Sequence, residues 1–174
     1  MEATADSLRV YDHLVISGLL QTEDYAREIL RPGQFTGDLD RAVATRMARQ
    51  EVLGRSNPPW VVVLLMETAI RNVVGSKDIT KAQLIRLLEL RQEPNINVLI
   101  APSGSPVYPA SGFTLLSSKD DPDLAYVEAA GGNGHVIELS SKVEQIRRLW
   151  DMISSVALTD SASEALIREV MESL

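Results

Sequence analysis

A chain of 174 residues with 45% apolar and 24% charged side chains has the make-up of an ordinary globular protein, long enough to bury roughly two-thirds of its unfolded surface. It contains no cysteine and only two histidines, which excludes disulfides, thiolate metal sites, cysteine nucleophiles and histidine-rich metal centres. A formal charge of −7 sets the surface against phosphate backbones, so direct nucleic-acid binding is not expected.

In chain order, the pattern reads as helices, then strands, then helices. Thr22 can cap a helix whose first turn holds Glu23 and Asp24, with Pro32-Gly33 ending it near Leu30. Asp38 to Leu53 reads as a helix with Leu39, Val43 and Met47 in one stripe, and the densest basic stretch, Arg41, Arg46, Arg49 and Arg55, runs along it and just past its end. Asn57-Pro58-Pro59 stops it. Trp60 to Met66 is continuous and β-branched, the pattern of a strand buried on both faces. It is also the longest apolar run, far too short to cross a bilayer, and the N-terminus lacks the regions of a signal peptide. A cytoplasmic protein without membrane association is therefore expected.

A helix starting at Asp78 or Thr80 and ending near Gln92 separates this strand from Ile96 to Ile100, which makes a βαβ unit. Gly112 to Ser117, Leu124 to Ala129 and His135 to Leu139 follow as strands of an antiparallel meander, the last two joined by a hairpin turn at Gly131-Gly132-Asn133-Gly134. Ser140 or Ser141 caps a helix to Val156 with Val143, Ile146, Leu149, Trp150 and Ile153 inward, and Asp160 or Ser161 caps a last one. The expected fold is α+β: a mixed, roughly five-stranded sheet with N- and C-terminal helices packed on it. A single domain is expected over 1–174, helical over 1–57, sheet with a crossover helix over 58–139, and helical over 140–174.

Several segments resemble a family. Gly18-Leu19-Leu20-Gln21-Thr22-Glu23-Asp24-Tyr25-Ala26-Arg27, Arg46-Met47-Ala48-Arg49-Gln50-Glu51-Val52-Leu53, Gln83-Leu84, Asn95 to Ile100, Gly112 to Leu116 and Tyr126-Val127-Glu128 occur in its order. The chain resembles an effector domain of unknown function that follows an Xre-type helix-turn-helix in actinobacterial, Scr-type antitoxin-like regulators. The resemblance implies a regulatory effector or dimerisation domain, with a small partner protein or a small-molecule ligand and homodimerisation as candidate associations. It departs from the family pattern at Ser17, where proline is usual, and at Ser103 to Tyr108, which lacks the usual histidine. No helix-turn-helix precedes the matched segments in this sequence, so a stand-alone enzyme of secondary metabolism, a cofactor-free cyclase or isomerase, is the alternative expectation.

Candidate site residues follow from position. Trp60 opens the central strand, as core packing or as part of a ligand wall. Glu67 ends that strand with Arg71 four residues on, either as an ion pair or as a ligand contact or acid/base. Tyr126 and Glu128 share a strand face, either solvated or lining a polar cavity beside Glu67. Tyr108 sits in a proline-containing loop over Ser103 to Ser111 that could close over a site. Together with Phe113, these form the expected ligand-binding set, and Glu67, Glu128, Tyr126 and Tyr108 are the proton-transfer candidates should the domain be an enzyme. No cofactor or metal is expected: the glycine run lacks a phosphate loop's Lys-Ser/Thr ending, and neither histidine has a ligand-spaced partner.

Overall fold

The computed structural model describes residues 5–31, 38–107, 109–129 and 134–174. Six strands form one mixed sheet: β1 (Ser7–Asp12), β2 (Trp60–Met66), β3 (Ile96–Ala101), β4 (Phe113–Ser117), β5 (Leu124–Val127) and β6 (His135–Ile137). Their spatial order is β3-β2-β1-β4-β5-β6. The β2–β3 pair is parallel and β4, β5 and β6 are antiparallel neighbours, as the βαβ-then-meander pattern predicts.

β1 is the addition. The expected helical stretch over 1–57 instead begins with this strand, which lies in the middle of the sheet, parallel to β2 and antiparallel to β4. Its alternation is brief, and both partners come from more than 50 positions away. Long-range pairing rather than local preference makes it a strand.

The helices are α1 (Glu23–Leu30), α2 (Leu39–Arg49), the short α3 (Glu67–Arg71), α4 (Lys77–Leu90), α5 (Ser140–Ser154) and α6 (Asp160–Ser173). Thr22 caps α1 as expected, accepting from the Tyr25 amide. The α4 cap is Ser76 and the α6 cap is Thr159, each slightly before the position read from sequence, while α5 starts after Leu139 without a side-chain cap. The Pro32-Gly33 stop and the Gly131-Gly132-Asn133 part of the hairpin turn lie outside the described residues. No helix among the described residues is long and apolar enough to cross a membrane.

Helices cover both sheet faces. On one face Leu8, Val10, Val63 and Val98 pack with Tyr25 of α1, Leu84 and Leu87 of α4, and Ile167 and Val170 of α6. On the other, Tyr11, Leu64, Phe113 and Ala125 pack with Val143, Ile146, Trp150 and Ile153 of α5. Each fully buried large side chain contributes about 1.5–3 kcal/mol. The α5 stripe is one residue narrower than expected, because Leu149 lies beside it and is 38% exposed.

Trp60 is a correction to the core-packing expectation: it is 53% exposed. On its face of β2, Met66 and Leu64 are buried against the α5 cluster and Val62 only partly so. Trp60, at the strand's first position, lies past the end of that cover.

The outer edge of β3 is closed by the chain itself. The Ile96 amide donates to the Glu93 carbonyl, the Val98 carbonyl accepts from Arg91, the Ile100 amide donates to the Ser163 hydroxyl, and the Ile100 carbonyl accepts from the Leu158 amide. No described strand pairs with the outer edge of β6.

Candidate functional site

Alternation along β1 places Leu8, Val10 and Asp12 on one face, so the last residue of the strand sets a carboxyl group where the core would otherwise continue. The sheet register extends this into rows. Leu8 lies opposite Leu116, which lies opposite Leu124; Val10 lies opposite Thr114, which lies opposite Tyr126. One step further, at the carboxyl end of β1, the row is Asp12, Gly112 and Glu128, held by the Glu128 amide donating to the Gly112 carbonyl at 2.9 Å. The face therefore grades from apolar to ionisable.

Gly112 is what lets the two acids meet. A Cβ there would stand 2.5 Å from Asp12 Oδ1 and 3.2 Å from Glu128 Oε2. The missing side chain is the space into which both carboxyl groups turn. Asp12 is 6% exposed. Burial, and then the charge of Glu128, push its carboxyl well above the usual carboxylate range, against a hydrogen bond from Ser17 and the charge of Arg46.

These residues line a cleft of about 380 Å³ with Ser17, Gln21, Arg46, Arg49, Thr114 and Tyr126, within the size range of small-molecule sites. It opens at the carboxyl end of β1, which lies between β2, parallel to it, and β4, antiparallel to it.

The wall opposite the acids is held by the segments of the family resemblance. Arg46 of α2 donates to Gln21 Oε1 at 3.0 Å, and the Gln21 amide group donates to the Ile16 carbonyl at 2.6 Å. Gln50 donates to the Gly18 and Gln21 carbonyls at 3.0 and 2.8 Å. From α4, Gln83 donates to the Leu20 carbonyl at 2.8 Å and accepts from the Thr22 amide at 2.6 Å. Gly18 to Thr22, Arg46 to Gln50 and Gln83 are thus one hydrogen-bonded unit. Burial, then the neighbouring Arg49, lowers the proton affinity of Arg46, with Glu128 and Asp12 opposing this.

Of the residues predicted from sequence, Tyr126 and Glu128 lie on the cleft. They share the face with Asp12, not with Glu67 as the cavity reading had it. Glu67 accepts from Arg71 Nε at 2.6 Å and from the Ser103 amide at 2.7 Å. The Ser103 amide, then Arg71, holds its carboxyl below the usual range. Glu67 and Arg71 thus tie α3 to the loop after β3, outside the cleft lining. Phe113 is buried on the other face, its ring 5.3 Å from that of Tyr11. Trp60 pairs with Ser7, at the end of the sheet away from Asp12. Tyr108 lies outside the described residues. Sequence reasoning missed Asp12, Gly112 and Gln21 as a site; the Leu8-Val10-Asp12 alternation was the available signal.

The raised Asp12 carboxyl has a measurable consequence. An acid that holds its proton more tightly when folded makes the folded state lose stability as pH rises from the ordinary aspartate value, about 4, toward its raised value. Asp12→Asn should remove this slope. Its Tm relative to the parent is expected to climb as the pH is raised from 4 to 8. Thermal unfolding at stepped pH checks this, and parallel profiles for the two proteins would contradict it.

Residues 1–169 match the family model described as "Domain of unknown function (DUF5753)", and the chain belongs to that family. Neither the curated proteins nor the solved structures contain a match to it.

Proposed function

We propose that this member of the family is a ligand-binding effector module of an antitoxin-like transcriptional regulator, itself not a DNA reader, and that it binds a small molecule in the cleft at the carboxyl end of β1. The observation that carries the reading is the Asp12–Gly112–Glu128 row: a buried carboxyl group facing a second one across space kept open by a glycine. Burying a carboxyl costs stability unless something partners it, and a cleft that keeps one facing inward is suited to a ligand that supplies the partner. The formal charge of −7 supports a regulatory part that leaves DNA contact to another segment. The order of the family-like segments supports the regulator context, and a small partner protein or a second copy of the chain would then receive the signal.

The test is amide chemical-shift mapping of the labelled domain against a library of amines, carboxylic acids and amino acids. Shifts that saturate and cluster on Asp12, Arg46, Tyr126 and Glu128 are expected. If every library member leaves those four unperturbed, the reading fails.

One observation favours a second reading as a cofactor-free isomerase or cyclase. The buried Asp12 carboxyl, whose proton affinity is raised, faces the exposed Glu128 carboxyl across one space, an arrangement suited to a general acid and base. Any compound found to bind would then take up deuterium from D2O at a carbon position. Recovery of the bound compound without deuterium leaves the effector reading alone.

A further inference from the structure

The cleft has two walls of opposite charge. Asp12 and Glu128 stand at the sheet side, at adjacent register positions on either side of Gly112. Arg46 and Arg49 stand on α2, three residues apart and hence on one helix face. Thr114 and Tyr126 add hydrogen-bonding groups on the sheet side, in the row next to the acids, and the lining also includes the apolar side chains of Val15, Ile29 and Leu30. Arg46 is held in place by Gln21, which is itself anchored to the Ile16 carbonyl. Tyr126 is held too, because a Cβ on Gly134 would overlap its ring.

Resting on the ligand-binding reading above, we propose that the cleft recognises a small zwitterion bearing an apolar substituent, with an aliphatic or thioether α-amino acid as the simplest form. The ammonium group would lie between Asp12 and Glu128, the carboxylate against the α2 arginines, and the side chain against Val15, Ile29 and Leu30. A ligand with only one charge matches the sign of only one wall. A free cation is disfavoured near the arginines and a free anion near the acids. Separated charges on one small molecule match both walls, and a pair of charge-assisted hydrogen bonds fixes its orientation.

Ammonium binding also requires Asp12 to give up its proton. The groups facing Asp12 are Glu128 beyond β5, Arg46 on α2, Tyr25 on α1 and the Ser17 hydroxyl. Of the charged ones, Glu128 favours the proton and Arg46 opposes it. Affinity for the zwitterion should therefore rise with pH across the range in which Asp12 ionises and then level off.

The experiment titrates the intact domain by calorimetry with L-leucine, L-leucinamide and 4-methylpentanoate, then L-methionine, with chemical shifts recorded in parallel. Leucine or methionine is expected to bind about tenfold or more tightly than either single-charge analogue, the size of one lost charge-assisted bond. Glu128→Gln, at an exposed position, should reduce the preference for leucine over 4-methylpentanoate. Arg46→Met should reduce the preference for leucine over leucinamide. Leucine affinity should increase in the parent as the pH is raised above the ordinary aspartate range and stay flat in Asp12→Asn. An analogue that binds as tightly as the amino acids overturns the zwitterion proposal, and if it moves Asp12 and Tyr126 resonances the cleft reading survives. If no amino acid binds while another class of library compound shifts the same residues, the ligand class is wrong and the site right. If nothing shifts them, both fall.

Discussion

Gln83→Leu is expected to lower the unfolding free energy by about 2–5 kcal/mol, because it strands one buried and one partly buried backbone group at once. Gln83 is 0% exposed, and its side-chain amide serves the Leu20 carbonyl and the Thr22 amide, at a sequence separation of about 60 residues. Leucine fills similar volume and answers neither group. For a chain of this size each kcal/mol moves Tm by about 2–4 °C, so thermal unfolding should show a fall of roughly 5–15 °C. Gln83→Glu retains the acceptor and loses the donor, and it should fall between the two. A leucine variant that melts with the parent would mean that water replaces the glutamine.

The second large effect is expected at Gly112. A valine there would drive its Cβ to 2.5 Å from Asp12 Oδ1 and 3.2 Å from the Tyr11 carbonyl oxygen. The carboxyl group can swing away, but the strand backbone has little room to do so. Overpacking of this kind costs about 1–3 kcal/mol. The larger consequence is for the cleft, because the Asp12–Glu128 space is filled and shift perturbations at both residues should vanish for any ligand that binds there. Gly54→Ala is the control: a Cβ at Gly54 meets nothing within 4 Å, so its melting and binding should match the parent. Ligand binding that persists in Gly112→Val would move the site elsewhere.

The legibility of the sequence divides by range. Strands β2 to β6 were readable because each carries its own apolar pattern and turn residues. β1 was not. Six residues of alternation gain their meaning only from β2 and β4, which come much later in the chain. Missing β1 displaced the site. Tyr126 and Glu128 were assigned to one face correctly, yet without β1 the nearest acid in sequence reasoning was Glu67, whose charge is spent on Arg71 and the Ser103 amide. Gly112 was readable as part of a motif and not as a space, since a glycine's emptiness has significance only when the neighbours on both sides are known. The Gly18-to-Thr22 segment, which carries the family resemblance, makes structural contacts: hydrogen bonds to Gln50 and Gln83.

The closed outer edge of β3 bears on how copies of this chain could assemble. A sheet with two free edges can add strands at both ends, and the result is a filament without a natural stop. Here the Ile96, Val98 and Ile100 groups on one side are already engaged by Glu93, Arg91, Leu158 and Ser163. Among the described residues, strand pairing between copies is left the β6 side, and a surface with one adhesive edge can meet only its own image. Association by that route ends at two subunits about a two-fold axis, so the geometry that protects one flank of the sheet also caps the size of whatever the other flank builds.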